Sequence, residues 1–131
     1  MFIHDLDSHQ QRAFFTLLHK MVQADKKLVE EEKTARVLLK RESGLDSLPD
    51  PNSLTPAEAA DEFTSHSDRV IVLLELLLIA HVDDDYHPEE KELIQDLAGR
   101  FNIGMEKLEL LKNWALRQGA LVREAEELRH T

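Results

Sequence analysis

The chain has 131 residues, of which 42% are hydrophobic and 32% are charged, and its formal net charge is −10. This length is enough for one domain with its own hydrophobic core. The acidic balance repels phosphate backbones and therefore argues against a nucleic-acid partner. Because the sequence contains no cysteine, disulfides, thiolate catalysis and cysteine-ligated zinc are excluded.

Neither the N-terminal residues nor the apolar runs indicate a targeting or membrane segment. Met1–Asp7 lacks the basic and apolar regions of a signal peptide. The longest apolar run, Val70–Ala80, is interrupted by Glu75 and is too short to span a bilayer. We therefore expect a cytoplasmic chain without membrane insertion.

Glu75 lies inside this apolar run and has two interpretations. It is either buried, with a perturbed ionisation, or it lies on a narrow solvent-facing seam of its helix. The second interpretation is favoured.

Hydrophobic periodicity predicts helices throughout and no strand. Ser8 is the expected N-cap of the first helix. Thr55–Glu58 has the N-cap and glutamate of a capping box, with Pro56 between them at the first helical position. Gly119 is expected to end the sixth helix, on which Trp114 is expected to pack in the core. The predicted helices, with approximate bounds, are 8–23, 30–42, 56–63, 65 or 67 to 81, 88–100, 105–118 and 121–128.

One motif occurs twice. Ala24–Lys33 aligns with Val82–Lys91, and each copy consists of an apolar helix, a short acidic turn and a second helix opening with Glu-Glu-Lys. Self-similarity of this kind indicates one supersecondary unit used twice. The predicted fold is all-α, a single-domain helical bundle of about seven helices built from two pseudo-symmetric helix–acidic turn–helix repeats. Its predicted parts are repeat 1 at about 10–45, a linker at 46–54, repeat 2 at about 68–103 and closing helices at 105–130.

The second acidic turn concentrates the chemistry of the chain. Carboxylates this close together repel one another unless they are solvated, paired or bridged by a cation. Hard divalent cations such as calcium bind about six to eight oxygen ligands, although the spacing is not that of an EF-hand. The alternative is a solvated turn whose glutamates favour the start of the next helix. The carboxylates are Asp83, Asp84, Asp85, Glu89, Glu90 and Glu92.

Val82–Lys91, together with Leu97–Ala98 and Phe101–Ile103 behind it, resembles the TerB-like family. That family includes the tellurite-resistance protein TerB and the N-terminal helical region of some DjlA-type co-chaperones. The resemblance covers about residues 10–128. It implies a duplicated, all-helical fold, a divalent cation held by the acidic turns, and a role in stress- or tellurite-resistance-type protein interactions.

Carried over by position, the resemblance assigns Asp83, Asp85, Glu89 and Glu90 as ligands of a divalent cation, with calcium or magnesium the first candidates. In the first copy Lys27 replaces an acidic position. A positive charge there opposes cation binding, so we expect at most one competent site, in the second half of the chain.

Two departures from the family pattern bear on that site. Asp84 stands where the family usually has glycine, and His87 stands at the usual capping Asp position. His81 and His87 also alternate with Asp83 and Asp85, which leaves a mixed nitrogen and oxygen site for zinc or nickel as an alternative.

Nothing in the sequence gives a positive reason to expect an enzyme. The expected partners are other proteins, including a second copy of the chain in a homodimer. Two functions follow: a cation-binding TerB-like module, or a metal-independent interaction or scaffold domain with a solvated acidic surface. The closing segment Arg123–Arg129 alternates in charge and is expected to be a solvated, salt-bridged face.

Overall fold

A computed structural model of the chain describes residues 2–24, 54–80 and 88–131. Within these ranges the secondary structure is helical and contains no strand, which confirms the predicted all-α class. The predicted helix 30–42 and both acidic turns lie outside the described residues, so the two-repeat symmetry remains a prediction. The elements are a 3-10 turn Ile3–Asp5 and the helices α1 Ser8–Ala24, α2 Pro56–Asp61, α3 His66–Ala80, α4 Pro88–Arg100 and α5 Met105–Arg129.

A capping box starts α1. The Gln10 N–H donates to Asp7 Oδ1 at 2.8 Å, and the Asp7 N–H donates to Gln10 Oε1 at 3.1 Å. This reciprocal pair satisfies backbone donors that the first turn of a helix leaves open. The prediction of Ser8 as N-cap is therefore wrong by one residue, because the Asp7 carboxylate takes that role and Ser8 becomes the first helical residue.

The predicted capping box at the start of α2 is confirmed. The Glu58 N–H donates to Thr55 Oγ1 at 3.1 Å, and the Thr55 N–H donates to Glu58 Oε1 at 3.0 Å, with Pro56 at the first helical position. The pKa of Glu58 lies below its ordinary value. The larger cause is a hydrogen bond with the Thr55 backbone, and the smaller cause is a hydrogen bond with the Thr55 side chain.

The N-cap of α3 is Ser65, one of the two serines that could start this helix. Its Oγ accepts a hydrogen bond from the Asp68 N–H at 3.1 Å.

Helix α5 is one continuous helix of 25 residues. The prediction that Gly119 ends it, with a separate segment 121–128, is wrong. An interior glycine costs only about 1 kcal/mol relative to alanine, and the residues on both sides of Gly119 are good helix formers. The helix instead ends at Arg129, and His130 is its C-cap residue.

One hydrophobic core joins the five helices. Helix α1 packs most extensively on α2 and α3 on α5, while α4 contacts both α1 and α3. Burial of one large apolar side chain stabilises the fold by roughly 1.5–3 kcal/mol, so these contacts determine how the helices pack. The largest fully buried apolar side chains of α1, α3 and α4 are Phe14, Phe15, Leu18, Met21, Leu73, Leu76, Leu77 and Ile94.

Most of the apolar side chains of helix α3 are buried, and the others are partly buried. Val72, Leu73 and Leu76 are fully buried, and the less buried Leu74 and Ile79 pack against the core. None of the helices in the described ranges is both long and apolar enough to cross a membrane.

The N-terminal turn is fixed to α1 through one side chain. The Gln11 Nε2 group donates to the carbonyl oxygens of Ile3 and Leu6, each at 3.1 Å, and both bonds are buried. Ile3 and Leu6 are themselves buried in the core. Residues 3–6 therefore belong to the packed body of the protein.

Candidate functional site

Two of the four predicted metal ligands lie in the described part of the chain. Glu89 and Glu90 occupy the first turn of α4, directly after Pro88. Asp83 and Asp85 lie outside the described residues, as do both histidines of the zinc or nickel alternative. Among residues 2–24, 54–80 and 88–131, no group of three or more His, Asp and Glu side chains could hold a metal ion.

Glu89 and Glu90 have different surroundings. Glu89 is exposed, whereas Glu90 has no exposed surface and lies on the same face of α4 as Ile94. Neighbouring helical residues point about 100° apart, which separates a solvent-facing from a core-facing carboxylate. A buried carboxylate is retained where hydrogen bonds, an opposite charge or a metal compensates it, and both glutamates have interactions with the chain. Their oxygens suit a hard divalent cation, which at Glu90 would lie against the core.

Glu75 is the buried acid of α3. It is 6% exposed, and its Oε1 accepts a hydrogen bond from the Phe2 backbone N–H at 2.6 Å. The favoured interpretation of a solvent-facing seam is therefore wrong. The Phe2 ring also packs against Trp114, with 6.2 Å between ring centroids. Sequence reasoning missed this contact because the donor is a backbone group 73 residues away, which no side-chain pattern reveals.

Arg69 joins the chain segments that follow α2 and α4. Its Nε donates to the Phe63 carbonyl at 2.7 Å and its Nη1 to the Phe101 carbonyl at 3.3 Å. The guanidinium carbon lies 5.6 Å from the centre of the Phe101 ring, which packs edge-on against Phe63. The planar, multi-donor guanidinium suits two acceptors and a ring face at once. The role of Arg69 is therefore to hold α2 and α4 together.

An open groove of about 210 Å³ lies between α1, α2 and α4. Its charged lining residues are Asp96 and Arg100, and Arg100 Nη2 lies 3.3 Å from Asp61 Oδ1 across to α2. Both partners of this ion pair are substantially exposed. No sequence motif marked this groove, because its walls come from three helices that are distant in the sequence. The apolar residues of the lining are Leu17, Pro56, Ala57, Ala60, Leu93 and Leu97.

The last part of α5 extends beyond the packed body. Leu108, Leu111 and Ala115 of its first half are buried, but every residue from 120 to 131 is exposed. We call residues 120–131 the C-terminal arm. Its Glu126 and Arg129 form an ion pair at 2.9 Å, as expected for a solvated helix. The arm nevertheless carries exposed large apolar side chains, namely Leu121 at 59%, Val122 at 55% and Leu128 at 68%.

Comparisons with models of known protein families, with curated proteins and with solved structures gave no match. The TerB-like resemblance of Val82–Lys91 therefore remains a prediction from its sequence motif. The structure defines a helical bundle with a buried acid at the start of α4, an open apolar groove and a projecting amphipathic arm.

Proposed function

We propose that this chain is a TerB-like helical protein-interaction module of the cytoplasm, without catalytic activity, that acts in stress- or tellurite-resistance-type interactions. The observation that carries the interaction role is the C-terminal arm. Leu121, Ala125 and Leu128 share one face of its helix, and the two leucines are more than half exposed. A stripe of this kind on a polar helix is the pattern that docks into an apolar groove of a partner.

The charge of the chain supports the nature of the partner. A net charge of −10 favours basic protein surfaces and opposes nucleic acid. The stripe on the arm also suits a second copy of the chain, since a two-fold dimer uses the same patch on both subunits. The stress-related part of the proposal is supported by the motif resemblance of Val82–Lys91.

The test compares proteins captured from a cell lysate by the wild-type chain and by the double variant Leu121→Asp with Leu128→Asp. We expect the variant to lose a specific set of partners, or its dimer in sedimentation, and to keep its melting temperature. The matched control is Met105→Asp with Leu110→Asp, which changes two equally exposed positions in the first half of α5. Equal loss, or no loss, in both variants rejects an interaction role for the arm.

A second candidate function, binding of a divalent cation at the acidic turn, is supported by the position of Glu90. Its carboxylate is fully buried in the first turn of the helix that follows Asp83 and Asp85. Together with Glu89 these residues offer the carboxylate oxygens that calcium and magnesium prefer. A bound ion would neutralise repulsion among them.

This candidate is tested by thermal melts of chelator-stripped protein titrated with calcium, magnesium, manganese and zinc at fixed ionic strength. An ion at about 100 times its dissociation constant stabilises the native state by about 2.7 kcal/mol. We expect Asp83→Asn with Asp85→Asn to abolish that response. The control, Glu124→Gln with Glu126→Gln, removes two carboxylates from the exposed arm. Cation binding at the turn is rejected by a flat titration, or by the same response in both variants.

A further inference from the structure

Helix α5 carries a second apolar stripe besides the one that packs in the core. Leu108 and Ala115 lie on the core-facing side of the helix. At about 100° per residue, Trp114, Leu121 and Leu128 lie on another face, roughly a third of a turn away. Their seven-residue spacing keeps them in one line along the helix, and this is the repeat by which two helices pack against each other.

The second stripe runs from the packed body onto the C-terminal arm. Trp114 is partly buried and packs against the Phe2 ring, while Leu121 and Leu128 are 59% and 68% exposed. One continuous helix carries all three residues, over a length of about 21 Å. A partner helix that lies along the stripe therefore contacts the body and the arm together.

The charge of α5 differs from that of the rest of the chain. Met105–Arg129 contains five acidic and five basic side chains, so the whole net charge of −10 lies on the other residues. Two copies of α5 can therefore approach without net repulsion between the helices, which two strongly acidic surfaces could not do. The stripe thus suits a neutral amphipathic helix, and α5 is itself such a helix.

Two charged side chains beside the stripe indicate the orientation of the second helix. Arg117 and Glu124 are both exposed and flank the stripe on the same side, about 10 Å apart along the axis. The described ion pairs of α5 are formed by other residues. Arg117 Nε donates to the Asn113 carbonyl at 3.4 Å, which leaves further guanidinium donors for a carboxylate.

An antiparallel pair of α5 helices brings opposite charges together. With Leu121 at the two-fold axis, Trp114 lies opposite Leu128 of the second copy, and Arg117 lies beside Glu124 of the second copy. Because a two-fold axis repeats every contact, the pair contains two such Arg–Glu contacts. A parallel pair would instead place Arg117 beside Arg117 and Glu124 beside Glu124, which is repulsive.

We propose that α5 is the interface of a homodimer in which two copies of this helix pack antiparallel. Trp114 packs against Leu128 of the second copy, and Arg117 pairs with its Glu124. This inference rests on the proposed interaction function and names a second copy of the chain as a partner of the arm. Leu110 lies one turn before Trp114 and therefore beyond the end of the partner's helix at Arg129.

Sedimentation velocity of the full chain, at about 1 to 100 μM, measures self-association in the range expected for a short interface. We expect the monomer to convert to a dimer as the concentration rises. Leu128→Asp should weaken the dimer at least about tenfold, the scale of a lost hot-spot contact. The matched control is Leu110→Asp, at a position of similar exposure, 64% against 68%, but outside the contact. Melting temperatures show that both variants are folded, and equal effects of the two overturn the proposal.

Charge reversal tests the antiparallel orientation. Arg117→Glu or Glu124→Arg alone creates two like-charge contacts, and each should weaken the dimer at least about tenfold. An equimolar mixture of the two variants should form a heterodimer about as tight as the wild-type dimer, because every reversed residue then meets an opposite charge. The two positions are about two helical turns apart within one chain, so this rescue cannot arise inside a single chain.

The matched control for charge is Glu126→Arg. Glu126 lies two residues after Glu124 and therefore on nearly the opposite side of the helix. We expect this variant to dimerise like the wild type, although its net charge equals that of Glu124→Arg. Single reversals that dimerise like the wild type, or a mixture without rescue, overturn the antiparallel pairing.

The failure of this proposal differs from the failure of the function on which it rests. A chain that stays monomeric up to about 100 μM overturns the proposal. If that monomer still captures lysate proteins that the variant Leu121→Asp with Leu128→Asp loses, the interaction function stands and the stripe binds a different protein. Absence of both self-association and arm-dependent capture rejects the two together.

Discussion

The two ends of the chain differ in how the fold holds them. At the N-terminus Phe2 donates its backbone N–H to buried Glu75 and packs its ring on Trp114, while Ile3 is 1% exposed. At the C-terminus the twelve residues of the arm are all exposed, including Leu128 at 68%. Both ends carry large apolar side chains, but only the N-terminal ones are buried by this chain.

Large apolar side chains therefore contribute differently at the two ends, because those near the N-terminus are buried and those of the arm are exposed. Apolar side chains at the N-terminus stabilise the native state because they leave water on folding. Those on the arm stay in water, so they contribute to stability only through helix propensity, and an isolated helix of this length is marginal. Substitutions at Ile3, Glu75 and Asp7 test this contrast in order of decreasing effect on stability, and Glu58 provides a reference position away from both ends.

Ile3→Ala is expected to lower the free energy of unfolding by about 2–5 kcal/mol, because it removes a buried aliphatic side chain and leaves a cavity. Leu128→Ala, on the arm, should change it by less than about 0.5 kcal/mol. Urea denaturation of both variants measures the difference. Similar losses in the two would show that the arm is packed in solution.

Glu75→Ala removes the acceptor of the Phe2 N–H and is expected to cost about 1–3 kcal/mol. Glu75→Gln keeps an oxygen acceptor and should recover part of that stability. Trp114 is the single tryptophan of the chain, so its emission reports locally on the Phe2 contact. We expect a red shift for the alanine variant. An unshifted spectrum together with unchanged stability would contradict the anchoring of the N-terminus by Glu75.

Asp7→Ala is expected to cost about 0.5–2 kcal/mol through loss of the N-cap of α1. Ser8→Ala should have almost no effect, since Ser8 is the first helical residue rather than the cap. Thermal denaturation of the pair decides between the two residues. A larger loss for Ser8→Ala would restore the assignment made from the sequence.

The smallest expected effect belongs to Glu58, an exposed capping residue of α2 away from both ends. Its pKa is lowered in the folded chain from an ordinary 4.5 by hydrogen bonds from Thr55. A lowered carboxyl pKa contributes stability that is present above the unfolded pKa and is lost as the pH falls through the folded pKa. We expect wild type to melt slightly above Glu58→Gln at neutral pH, and the gap to close below about pH 4.5. A gap that persists in acid would assign the effect to packing.

Local signals in the sequence predicted the helices of the body well. Thr55–Glu58 and Pro88 fix the starts of α2 and α4 through capping and the constraints on proline, which act within one helical turn. The prediction that Gly119 ends a helix was wrong because a glycine weakens a helix but ends it only where the backbone adopts the left-handed conformation. At Asn102 the backbone does so, with φ of 59°, and there α4 has ended as predicted.

The candidate sites were less predictable because they depend on residues far apart in the chain. The groove brings Leu17, Ala57 and Leu93 together from three helices, and periodicity shows only that each lies on a particular face. The burial of Glu75 depends on a backbone N–H near the N-terminus. For the acidic turn, Asp83 and Asp85 lie outside the described residues, so their role as ligands remains a prediction.

Helix α5 is continuous through Gly119. The distance and the direction of the arm's side chains from the packed body are therefore set by the number of helical residues between them. At a rise of about 1.5 Å per residue, residues 120–129 extend about 15 Å along the helix axis. Each residue inserted near Gly119 turns everything beyond it by about 100°. Two inserted alanines would turn Leu121 and Leu128 by about 200°, to nearly the opposite side of the helix. Four would turn them by about 400°, which is within about 40° of their original direction. A partner that contacts both the packed body and the arm should therefore bind the variant with four added residues better than the variant with two.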